Sequence, residues 1–146
     1  MEFEFTWIDS SLVVCRASGK ASADGFVALL KALAAQPEFG PGVRVLADHS
    51  GLDVSSISAA DIERIAEVRA QNANRVGTRT ALVVGSSAPA RYGLARMFEA
   101  YVASQRDGSV KVFEIFDEGM AWLRALDSPP SSESQAESVE IAADLA

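Results

Sequence analysis

The side chains able to do chemistry fall in three short segments: Asp48-His49-Ser50-Gly51-Leu52-Asp53, Gly85-Ser86-Ser87-Ala88-Pro89-Ala90-Arg91, and Asp117-Glu118. His49 is the only histidine, so no histidine cluster can hold a transition metal. Asp48, His49 and Asp53 have neither the spacing nor the repetition of a metal site. A nucleophile would be Ser86 or Ser87, with His49 as base and Asp117 orienting the ring. Gly85-Ser86-Ser87-Ala88-Pro89 departs from the G-x-S-x-G elbow, and serines before a helix start more simply cap its free N–H groups. The same loop with Arg91 and Arg96 could hold an anion at a helix N-terminus. It lacks the glycines and the Lys-Ser/Thr pair of a phosphate loop, and surface salt bridges are the more ordinary role for both arginines. Cys15 lies in a strand pattern, as a small buried hydrophobe. No motif implies a cofactor.

These residues need elements to place them. Phe3, Phe5 and Trp7 alternate with Glu2, Glu4 and Thr6, a strand with one wet face. Asp9-Ser10 turns it into Leu12-Val13-Val14-Cys15, which predicts an antiparallel hairpin. Ser22 then caps a helix carrying Phe26, Leu29, Leu30 and Leu33 on one face. Val43 to Ala47 reads as a strand, and Ser58 with Asp61 as a variant capping box for a helix to about Gln71 with Ile62, Ile65 and Ala66 inward. Thr80 to Val84 has the apolar continuity of a strand buried on both faces. Pro89 suits the first turn of a helix with Leu94, Met97, Phe98 and Tyr101 inward. Val110 to Phe116 predicts the last strand, and Gly119 to Leu126 the last helix. The order is β-β-α-β-α-β-α-β-α, an α/β fold with a mixed, mostly parallel sheet and an antiparallel N-terminal hairpin. Ligands in such sheets gather beyond the carboxyl ends of the parallel strands, which selects Asp48-His49-Ser50-Gly51, Gly85-Ser86-Ser87 and Asp117-Glu118. Trp7, Phe26, Met97, Phe98, Tyr101 and Trp122 should mostly be core.

The 146 residues are 49% hydrophobic and 23% charged, which fits one domain with a real core. Five acids and no base lie between Asp127 and Ala146, so the net charge of −7 falls to −2 over residues 1–126. That tail opens on Ser-Pro-Pro-Ser-Ser and reads as a flexible linker, leaving 1–126 as the domain. No stripe of Lys and Arg predicts a nucleic-acid partner, and no apolar run is long enough for a membrane span. The single cysteine and the acidic N-terminus make a reducing cytoplasm the expected compartment.

Residues 46–48 (Leu-Ala-Asp), 92–98 (Tyr-Gly-Leu-Ala-Arg-Met-Phe) and Phe116-Asp117 before Ala121-Trp122-Leu123 resemble the SpoIIAA-like proteins, small domains grouped with the STAS and SEC14 (CRAL-TRIO) folds. The resemblance spans about residues 1–126. It implies one of two functions. STAS-type relatives bind a protein partner and are switched by a phosphoserine at a helix start; here Ser55, Ser56 and Ser58 stand in that region, without the glycine that follows the serine in that pattern. A phosphate there would meet the positive end of the helix dipole. CRAL-TRIO-type relatives carry a lipid in an apolar pocket. The first expectation is a non-enzymatic regulatory module with a partner surface around Asp48, His49, Ser50, Ser86, Ser87 and Arg96. The alternative is a carrier of a lipid or small apolar ligand, and the third a hydrolase using His49 with Ser86 or Ser87. An exposed apolar helix face would favour the partner and could drive homodimerisation; a deep apolar cavity would favour the carrier.

Overall fold

A computed structural model describes residues 1–71, 78–105 and 109–125; the expected acidic tail lies outside the described residues. The elements run β1 (Glu2–Asp9), β2 (Leu12–Lys20), α1 (Ala23–Ala34), β3 (Arg44–Asp53), α2 (Ala59–Ala70), β4 (Arg79–Val83), α3 (Pro89–Gln105), β5 (Ser109–Phe113) and α4 (Phe116–Ala125). This is the order expected from the sequence. The strands lie side by side as β1-β2-β3-β4-β5, β1 antiparallel to β2 and every later pair parallel.

Local chemistry accounts for most boundaries. The Ser22 hydroxyl accepts from the Gly25 N–H at 3.0 Å and starts α1. Ser58 and Asp61 form a reciprocal capping box at α2, with Asp61 N–H to Ser58 Oγ at 3.1 Å and Ser58 N–H to Asp61 Oδ2 at 2.9 Å. Three boundaries differ from the sequence expectation, the first being that β2 runs beyond Cys15 and through Gly19 to Lys20. β3 continues six residues beyond Ala47 because the second half of β2 keeps pairing with it, Ser18 against Gly51 and Lys20 against Asp53. β5 stops at Phe113, and Phe116 opens α4. The acids Asp117 and Glu118 then occupy the first helical turn, where the dipole favours them, and Phe116 packs into the core.

A sheet with sequential strand order and parallel crossovers collects its connecting helices on one face. Here α1, α2 and α3 form that layer, over Val13, Cys15, Val45, Ala47 and Leu82. The alternate residues Leu12, Val14, Leu46, Ala81 and Val83 face α4, the one helix among the described residues on the other side, with Leu123 fully buried. Two features hold α4 close. Gly119 lies against the sheet, where a Cβ would come within 3.1 Å of Val83 and 3.3 Å of Ala81. Buried Arg44 donates to the Leu123 carbonyl at 3.2 Å and to Ser11 Oγ at 2.8 Å, tying helix, sheet and hairpin turn together. Gly119→Val should destabilise the fold by about 1–3 kcal/mol through overpacking against Val83 and Ala81. Urea unfolding measures it, and a variant as stable as wild type would mean that α4 does not need the close approach.

Candidate functional site

The three-helix face is where packing is incomplete. α2 packs on α1 and α3 and makes no contact of comparable extent with a strand. It therefore stands away from the central strands, and the space beneath it is a cavity of about 430 Å³ between the helices, β3 and β4. Phe26 and Leu29 of α1, Ile62 and Ile65 of α2, Leu82 of β4 and Phe98 of α3 are among its walls. Ile62 and Ile65 are buried, yet neither belongs to the packed clusters of the sheet. The volume is that of sites that take small organic ligands, about 300–1,000 Å³.

One strand irregularity decides which polar groups enter this space. Between β2 and β3, two steps from Arg16 to Ser18 face three steps from Asp48 to Gly51, so β3 carries an extra residue at His49-Ser50. Asp48 closes this bulge by accepting from the Ser50 N–H at 3.1 Å and the Ser50 hydroxyl at 2.6 Å. Asp48 itself lies on the α4 side, 3.6 Å from Arg16, whose guanidinium stacks over Phe116. His49 takes the opposite side and enters the cavity, its ring 5.4 Å from that of Phe26. Bulges commonly re-aim a side chain in this way. The apolar walls desolvate the imidazole and lower its pKa to about 4, against a smaller upward pull from Asp48. Cys15 also lines the cavity, and burial, with Asp48 adding to it, pushes its thiol up to about 12, so it is a poor nucleophile at neutral pH.

The expected rim is assembled only in part. Gly85, at φ +86°, ends the segment after β4 beside Ser50; a Cβ there would lie 3.2 Å from the Ser50 Cβ. Ser86 and Ser87 are exposed in this turn, Ser87 with φ 56°, and among the described residues neither hydroxyl makes a hydrogen bond. They do not cap α3: the Tyr92 N–H bonds to the Ala88 carbonyl, which places Ala88 at the cap. Asp117 lies in the first turn of α4 on the other side of the sheet, so it cannot orient the His49 ring, and the serine–histidine–aspartate set, the least favoured of the sequence readings, is not brought together. Arg96 is an exposed partner of Glu99 at 3.3 Å, the ordinary role expected of it. Arg91 is not a surface salt bridge. Its Nε donates to the Val84 carbonyl at 2.7 Å and its Nη1 to the Leu52 carbonyl at 3.0 Å, clasping the ends of β4 and β3 at the cavity wall. Ser55 and Ser56 are exposed in the turn before α2, with the Ser55 N–H bonded to Asp53 at 2.9 Å. The Ser58 hydroxyl is committed to the capping box.

Fold and site define an α/β protein with a large apolar cavity on its three-helix face. Over 84% of its length the chain is similar to the crystal structure of an uncharacterized DUF3478-family protein from Shewanella loihica PV-4, covering 92% of that chain at 20% identity and a TM-score of 0.49. That protein is described as having a SpoIIAA-like fold, the name of the group the sequence resembles. No family model matches the sequence, and no curated protein does.

The His49 environment predicts a pH dependence. Above about pH 6.5 the ring is neutral folded and unfolded alike, and its contribution to stability is constant. As pH falls toward the folded value of about 4, the unfolded chain takes up a proton that the folded chain refuses, and stability drops. The loss is on the order of 3 kcal/mol once both states are protonated. His49→Gln should remove this part of the slope between pH 6.5 and 4. Urea titrations of both proteins across that range test it; identical slopes would refute the desolvated ring.

Proposed function

We propose that the protein binds a small apolar ligand in the cavity between its sheet and its three-helix layer. The carrying observation is the cavity itself: about 430 Å³ walled largely by aliphatic and aromatic side chains. The cavity is partly open to solvent, and an apolar guest would take its hydrocarbon walls out of water and make dispersion contacts with them. The partner-binding alternative has less support. The large exposed apolar side chains among the described residues are Ile8, Tyr92 and Ile115, and they sit on β1, on α3 and after β5. Since β1 and β5 are opposite sheet edges, these three do not make one docking patch. Of the serines before α2, Ser58 is the least suited to the phosphoswitch. A phosphate on Ser58 would replace the cap and face the Asp61 carboxylate.

Native mass spectrometry beside a denatured spectrum tests the reading, with titration of the neutral fluorescent probe phenylnaphthylamine as the second measurement. A saturable site is expected, weakened at least about ten-fold, equivalent to 1.4 kcal/mol, by Ala95→Phe, which fills the space from α3. A bare polypeptide mass together with no saturable probe binding would refute it.

A further inference from the structure

The charge lining the cavity is one-sided. Acids outnumber Lys and Arg by 20 to 13 in the whole chain. Yet the described residues that line the cavity include Lys31, Arg69 and Arg91, and no Asp or Glu. We propose that the ligand is a single-chain amphiphile with a carboxylate head, seated with the head at Arg91 and the chain running along the sheet beneath α2. This rests on the reading of the cavity as an apolar ligand site and names the class of ligand.

Arg91 is the group that favours a head of this kind. A guanidinium has five N–H donors, and the hydrogen bonds to Val84 and Leu52 occupy two of them. Among the described residues no carboxylate lies within ion-pair distance of it. It is half-buried, so its charge is neither fully hydrated nor neutralised by a counter-ion. It is also the third residue of α3, at the positive end of that helix, which adds to the attraction for an anion. Both backbone bonds fix the guanidinium plane, and a planar fork held in place matches a carboxylate, which accepts two parallel N–H bonds. A neutral chain pushed against it would cover the remaining donors without replacing their water, a cost of about 1–3 kcal/mol for each group left unsatisfied. From Arg91, at the carboxyl ends of β3 and β4, the apolar walls of Ile62, Leu82, Phe98 and Leu29 accept the hydrocarbon.

The sign of one comparison decides the matter. A wholly apolar cavity would prefer an alcohol to the carboxylate of equal length, because burying an unpaired carboxylate is unfavourable. Isothermal titration of the full chain with decanoate and with decanol at pH 7.5 should therefore show decanoate binding at least about ten-fold more tightly, a difference of 1.4 kcal/mol. Arg91→Gln should abolish that preference by weakening decanoate far more than decanol, and Arg91→Lys should retain part of it. Decanol binding as tightly as decanoate to the wild type would overturn the inference and leave the apolar site standing. Failure of both to bind would overturn the inference and the apolar site together. Because the wild-type comparison needs no variant, the test holds even if Arg91→Gln loosens the ends of β3 and β4.

Discussion

The arrangement of this protein follows from one topological constraint. Its strands are ordered in space as in sequence, and parallel strands in that order need crossovers of one hand. All three connecting helices are thereby sent to the same side, and the other side is left to α4. The two layers are consequently packed by different means. α4 is a single helix pressed onto β3, β4 and β5, with a glycine at the closest approach and Arg44 fastening its end. The opposite layer must span the sheet with three helices, and its middle member is held by its neighbours rather than by the strands. The void under α2 is the geometric residue of that arrangement.

A void lined by hydrocarbon is unfavourable for a protein with no guest, and the polar groups admitted to it are correspondingly few and well supported. His49 reaches it only because the β3 bulge adds a residue, and the bulge holds because one carboxylate oxygen of Asp48 accepts two bonds from Ser50. Asp48 is kept out of the cavity by the same alternation, facing Arg16 across the sheet. Arg91 enters from the first turn of α3 and is positioned by the backbone carbonyls of Leu52 in β3 and of Val84, just past the end of β4. The result is a cavity with a neutral imidazole, cationic groups and, among the described residues that line it, no acid. That asymmetry is the reverse of the chain's overall acidity, so it does not follow from composition.

The rim expected from the sequence and the cavity in the structure overlap at the carboxyl ends of β3 and β4 but differ in the residues they bring together. Ser50 and Gly85 do meet there. Ser86 and Ser87 stand on an exposed turn without capping α3, while Arg91, read from the sequence as a surface ion pair, clasps the ends of β3 and β4 with donors to spare. Ile62 and Ile65 were legible as the inward face of a helix; what they face was not.

The sequence by itself determined most of what depends on neighbours along the chain. Aromatic alternation specified β1, three- and four-residue spacing specified the helix faces, and Ser22, the Ser58–Asp61 pair and Pro89 specified three helix starts, because caps and periodicity act within one turn. The second half of β3 escaped that logic. Asp48-His49-Ser50-Gly51 has the composition of a loop and is a strand only because β2 supplies its hydrogen bonds. The Arg91 clasp joins a side chain to a carbonyl 39 residues earlier, and the cavity is a distance between α2 and two strands. Both depend on how separate elements stand in space, which only the packing of the whole sheet and its helices decides.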